Sequence, residues 1–222
     1  MELTASNKTA LLFGATGLVG NELLDQLLEH PAYERVIAPG RRPLRRQHDK
    51  LDCPVVDFDR LEDQSGKITC DDVFIALGTT IKKAGSKEAF RKVDYDYIVK
   101  AALVAKAGGA NQCMLVSSVG ASTESRFFYS QVKGQTEAAI REIDFWAIHI
   151  FQPGVLVGNR EEFRLGERVG IGISNFLRNI SPSILGDYNP TRADVLAAKM
   201  IAAAQGVKSG LQIHNAGELL DE

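Results

Sequence analysis

Phe13-Gly14-Ala15-Thr16-Gly17-Leu18-Val19-Gly20 is the stretch that decides the fold. The apolar run Ala10-Leu11-Leu12-Phe13 leads into it, as a buried strand would, and stops at Gly14. Leu23, Leu24, Leu27 and Leu28 follow on one face at helical spacing. Strand, glycines and helix in that order make a dinucleotide-binding turn. Gly14 turns the chain off the strand, Gly17 lets a pyrophosphate approach the backbone, and Gly20 lets the helix pack closely on the sheet. The helix N-terminus then presents free N–H groups and a positive dipole end to the anion. Gly14, Thr16, Gly17, Leu18, Val19 and Gly20 are therefore the candidate coenzyme contacts here. The spacing G-x-x-G-x-x-G varies the G-x-G-x-x-G fingerprint, and its place between strand and striped helix makes it specific. The competing reading is a tight turn without a ligand.

Outward from that turn the alternation repeats. Val36-Ile37-Ala38, Val55-Val56, Val73 to Leu77, Met114-Leu115-Val116, Phe145 to Phe151 and Leu211-Gln212-Ile213 predict strands. Helical patterns cover about 87–107, 127–142 and 193–204. This predicts an α/β chain, a Rossmann-type doubly wound parallel sheet with helices on both faces. Residues 1–222 read as a single NAD(P)-binding domain. Within it, 156–190 has weaker periodicity and reads as a small C-terminal substrate lobe.

The composition fits. Among 222 residues, 45% are hydrophobic and 24% charged, which excludes general disorder. A net charge of −2 argues against binding nucleic acid by bulk charge. Cys53, Cys70 and Cys113 are sparse and form no C-x-x-C, as in a reducing compartment. No run of about 18 apolar residues predicts a membrane span. Lys8 and the apolar run after it imitate a signal peptide, but Glu2 and the spaced glycines argue otherwise. The expectation is a cytoplasmic protein without metal, since His30, His48, His149 and His214 show no ligand spacing. His149 and Cys113 read as packed residues, and Trp146 as core.

An NAD site needs an acid at the end of the second strand. Here that end reads Ala38-Pro39-Gly40-Arg41-Arg42, and the nearest acid, Glu34, precedes the strand. Arg41 and Arg42 suit a 2′-phosphate, because a guanidinium grips phosphate in a fork. The expected coenzyme is therefore NADP(H). Asp57-Phe58 would lie at the adenine edge, and Leu77-Gly78-Thr79-Thr80 beside the ribose and phosphates.

Tyr129 and Lys133 stand four apart at the start of a predicted helix, on one face. An ammonium beside a phenol favours the phenolate and prepares it for proton exchange. Lys133 can also hold ribose hydroxyls. Ser118, at the end of the fifth strand, could hydrogen-bond a substrate carbonyl oxygen, with Ser117 the fallback.

GATGLVG (14–20), PGRR (39–42), VVDFD (55–59), ALGTT with the following KAG (76–85), FRKVDYDY (90–97), VSSVGA (116–121), FYSQVKGQTE (128–137) and QPGVLVGNREE (152–162) occur in this order. In them the chain resembles the atypical branch of the short-chain dehydrogenase/reductase superfamily, and within it the Tat-interactive-protein-like NAD(P)-binding oxidoreductases. The resemblance implies a Rossmann fold, NADP(H) and a catalytic set of Ser118, Tyr129 and Lys133. It also places Pro153, Gly154 and Val155 against the nicotinamide. One departure is Val93-Asp94-Tyr95, where the superfamily often carries a catalytic asparagine.

The expected function is an NADP(H)-dependent reductase of a small carbonyl compound. One alternative is an NADP(H)-binding regulatory or protein-interaction module, since the resembled group is associated with partner binding. Another is a nucleotide-sugar epimerase or dehydratase. A homodimer or a protein partner stays open.

Overall fold

The computed structural model describes residues 7–158 and 190–219. Its centre is a seven-stranded sheet in which every pairing is parallel. The strands are β1 (Lys8–Phe13), β2 (Tyr33–Ile37), β3 (Leu51–Asp52), β4 (Asp72–Ile75), β5 (Gln112–Val116), β6 (Ala147–Gln152) and β9 (Gly210–Asn215). A short parallel pair, β7 (Leu156–Val157) and β8 (Thr191–Arg192), stands apart. The order β3-β2-β1-β4-β5-β6-β9 reverses between β1 and β4. Chain direction changes there, and the strands' carboxyl ends open a crevice.

Helices cover both faces, as a buried parallel sheet requires. On one face, Leu11, Phe13, Val73, Ile75 and Leu115 pack against α4 (Tyr97–Ala107) and α5 (Phe128–Arg141). On the other, Ala10, Leu12, Phe74 and Met114 meet the leucines of α1 (Leu18–Glu29) and the apolar side of α6 (Ala193–Gln205). Alternate strand residues thus feed opposite cores, as period-two side-chain geometry dictates. Two short helices, α2 (Ile81–Ala84) and α3 (Lys87–Arg91), follow β4, and a π-helical turn (Lys92–Asp96) joins α3 to α4.

Two expectations need adjusting. The third strand begins earlier than Val55-Val56, because regular pairing with β2 runs through Leu51–Asp52. Val55 keeps only one bridge, to Gly40, and is largely exposed. Pro54 carries no N–H and interrupts the ladder between them. Trp146 is 48% exposed and is not core. It lies just before β6, where side chains alternate and Phe145 and Ala147 take the inward positions. The segment expected as a lobe, 156–190, lies outside the described residues from 159 to 189.

His149 packs as expected: its Nδ1 lies 3.1 Å from His214 Nε2, with the rings stacked. Burial, with help from His214 and Lys208, pushes its pKa down to about 4.

Candidate active site

Gly14 adopts φ +95°, and a Cβ there would sit 2.6 Å from the Ala76 carbonyl oxygen at the end of β4. The Gly17 N–H donates to the Gly14 carbonyl at 2.9 Å, and Gly17 caps α1 with no side-chain hydrogen bond and no acid in its first turn. A Cβ on Gly20 would lie 1.9 Å from the Gly14 oxygen, so helix and turn touch backbone to backbone. Thr16 and Gly17 are exposed, whereas Val19 is buried against the α1 core. Val19 can therefore offer a ligand its amide and not its side chain. A bare helix terminus at a turn with no room for side chains suits a diphosphate. Gly20→Ala is expected to cost at least about 3 kcal/mol, lowering Tm by roughly 6–12 °C for a chain of this size. An unchanged melting curve by circular dichroism would contradict this.

Beyond β2, Gly40 is held by hydrogen bonds to Pro54 and Val56, and Arg41 and Arg42 are exposed. Neither has a carboxylate partner among the described residues, whereas Arg35 pairs with Asp52 and Arg46 with Asp25. Glu34 lies near the start of β2, at the opposite end of the sheet. Asp57 is exposed and accepts a hydrogen bond from the Asp59 N–H at 2.9 Å. Phe58 is buried and packs edge-on against Phe13, centroids 6.1 Å apart. Its ring belongs to the core, leaving its main chain for a ligand.

After β4, Leu77 packs on the core and Gly78 is exposed. The Thr79 N–H donates to Asp94 Oδ2 at 2.9 Å, and Thr80 caps α2 by accepting from the Lys83 N–H. Asp94, fully buried in the π-turn, also places Oδ1 2.8 Å from Lys133 Nζ. The same turn is tied to α5 by Thr136, whose hydroxyl donates to the Asp94 carbonyl at 2.7 Å. Lys133 itself is 5% exposed. Burial works against its charge, but Asp94 foremost, with Tyr129 and Glu137, outweighs burial and holds its pKa above the ordinary lysine value. Tyr129 begins the same helical face, its ring 5.4 Å from that of Phe90.

The two serines separate. Ser117 is buried, and its hydroxyl donates to Glu137 Oε1 at 2.5 Å. Ser118 is half-buried, and its hydroxyl makes a long 3.3 Å contact to the Val119 carbonyl. The Val119 N–H donates to the Pro153 carbonyl at 3.0 Å, which sets the Ser118 loop against Pro153, Gly154 and Val155. Glu137 and Gln152, whose Nε2 donates to Glu137 at 2.9 Å, are not among the residues expected from sequence. The available signal was spacing: Tyr129, Lys133 and Glu137 recur every four residues. Among the described residues no cluster of ligating side chains could hold a metal, and no helix is long and apolar enough to cross a membrane.

No family profile matches the chain. Rat protein HTATIP2 is 41% identical over 165 residues, 72% of this chain and 68% of the relative. The FMP52-1 protein of Scheffersomyces stipitis is 33% identical over 207 residues, 89% of this chain and 88% of the relative. Among solved structures, the ADP-L-glycero-D-manno-heptose-6-epimerase of Helicobacter pylori superposes with a TM-score of 0.69 at 16% identity, covering 97% of this chain and 79% of that one. The Bordetella bronchiseptica enzyme WbmH, solved with NAD+, gives 0.68 at 14%, covering 95% and 76%. At such identities they share the fold, the Rossmann-type α/β sheet. One expectation is overturned: the fungal relatives are named as mitochondrial proteins, against the cytoplasmic reading. Sparse cysteines and the lack of an apolar span describe any reducing, aqueous compartment, so they could not single out the cytoplasm.

Proposed function

The chain belongs to the family of the HTATIP2 and FMP52 proteins, and from that membership we propose an NADP(H)-dependent oxidoreductase of the short-chain dehydrogenase/reductase type that reduces a small carbonyl compound. Gly14, Thr16 and Gly17, with the amides of Leu18, Val19 and Gly20, would hold the diphosphate. Arg41 and Arg42 would take the 2′-phosphate, and Asp57 and Phe58 the adenine edge. Leu77 to Thr80, with Tyr129 and Lys133, would line the riboses, and Pro153, Gly154 and Val155 the nicotinamide. When bound, the coenzyme supplies the hydride. The Tyr129 hydroxyl gives its proton to the carbonyl oxygen, the Ser118 hydroxyl donates a hydrogen bond to that oxygen, and the Lys133 ammonium favours the phenolate left behind.

The observation that carries this reading is the buried Lys133–Asp94 pair beside Gly78 and Thr79. A solvated lysine would need no such partner, and a buried ammonium is costly without one. The fold therefore keeps a charged lysine where β4 ends, four residues from a tyrosine. The test is NADPH oxidation across a panel of aldehydes and ketones, with Tyr129→Phe alongside.

Coenzyme choice has its own test. Arg41→Asp combined with Arg42→Ala is expected to weaken NADPH binding about 100-fold, two guanidinium–phosphate contacts at about 1.5 kcal/mol each. NADH binding should barely change. Thermal shifts with each coenzyme read this out, because selective binding raises apparent stability by mass action. Equal losses for both would refute the phosphate assignment. The nucleotide-sugar reading is favoured by the epimerase neighbour; coenzyme that copurifies and never exchanges would select it.

A further inference from the structure

Glu137 is 3% exposed and lies on α5 four residues beyond Lys133. Its Oε1 accepts from the Ser117 hydroxyl at 2.5 Å and from Gln152 Nε2 at 2.9 Å. Its Oε2 accepts from Gln152 Nε2 at 3.1 Å and from Arg141 Nη2 at 3.3 Å. One buried carboxylate thus joins the helix of Tyr129 and Lys133 to the ends of β5 and β6. Stability alone is a poor reason for it, since well-packed apolar side chains often serve a core as well as buried charge.

The anchored residues explain it better. Ser117 precedes Ser118, and successive side chains leaving a strand point to opposite sides. Holding the Ser117 hydroxyl inward on Glu137 turns Ser118 outward. Gln152 precedes Pro153, so the same carboxylate holds the root of the Pro153-Gly154-Val155 turn. The Val119–Pro153 hydrogen bond ties those two loops to each other.

We infer that Glu137 is a positioning residue: through Ser117 and Gln152 it sets the distance from the Tyr129–Lys133 helix to Ser118 and the Pro153 turn. This rests on the reductase reading. A displacement of about 1 Å at such a site costs roughly 100-fold in rate. Glu137→Ala is therefore expected to lower kcat about 100-fold. Glu137→Gln, which keeps the shape and one acceptor for Ser117, should lower it about tenfold, with the Kd for NADPH within about threefold of wild type. Ser117→Ala should also cost about tenfold, and the double variant Ser117→Ala/Glu137→Ala should be no worse than Glu137→Ala alone, because both remove the Ser117–Glu137 link.

Rates are taken per folded molecule, and Glu137→Gln carries the test if Glu137→Ala does not fold. A purely structural role would lower Tm and leave kcat per folded molecule intact, and wild-type kcat in both Glu137→Gln and Ser117→Ala would overturn the inference. Tyr129→Phe in the same assay separates the two failures: if it retains full turnover, the proton-donor role of Tyr129 falls. If wild-type protein turns over no carbonyl, the reductase reading falls, and the fluorescence of bound NADPH decides the placement of the Pro153 turn. Its enhancement should be lost in Glu137→Gln, and an enhancement equal to wild type would overturn the inference.

Discussion

Tyr129→Phe is expected to lose about 10²–10⁴-fold in kcat, the range of a general acid removed from its site. The substitution deletes one oxygen and keeps the ring that lies 5.4 Å from Phe90. Lys133 and Asp94 remain paired in the variant. Coenzyme affinity, read from fluorescence titration with NADPH, should stay near wild type, because the diphosphate turn and the arginine pair are untouched. Loss confined to kcat at constant coenzyme Kd is the signature of a group acting in the transition state. Full turnover in Tyr129→Phe would remove the tyrosine from the mechanism.

Removing Asp94 should be the most damaging change to stability. In Asp94→Ala the Lys133 ammonium stays buried with no counter-charge, and the Thr79 N–H loses its acceptor. Breaking a buried pair from one side costs about 3–5 kcal/mol, visible as a lower urea midpoint. Asp94→Asn should fall between, since it keeps the size and an acceptor for Thr79 but not the charge. The pH dependence follows from Lys133, whose pKa the fold raises because Asp94, Tyr129 and Glu137 outweigh the opposing effect of burial. The pair's contribution is complete below the unfolded lysine value of about 10.5 and is lost as pH climbs through the higher folded value. The gap between wild type and Asp94→Ala should therefore be widest at neutral pH and shrink above about pH 10.5. A gap that grows with pH, or a midpoint that does not move in Asp94→Ala, would show that the two charges do not depend on each other.

The glycine turn was legible because its logic is local. Three glycines, an apolar run and a leucine stripe are neighbours in sequence, and a Cβ at Gly14 or Gly20 has no room whatever else the chain does. The long helical pattern over 87–107 was legible for the same reason, although periodicity alone gives no sign of the π-turn that buries Asp94 within it. Edge features were read less well. Val55 looked like a strand residue by composition, but Pro54 decides the ladder; Trp146 looked like core by size, but its place in the alternation turns it outward.

By itself, the sequence determined the alternation of strands and helices, the glycine turn, and a tyrosine and lysine on one helical face, because each depends on local spacing. Only the tertiary structure decided which serine is turned inward, what holds the lysine, and where Phe58 points. Ser117 meets Glu137 across 20 positions of chain, and Asp94 reaches Lys133 only once the π-turn and α5 pack together. Burial, which makes those contacts strong and their loss costly, is a property of the assembled core and has no counterpart in the order of residues along the chain.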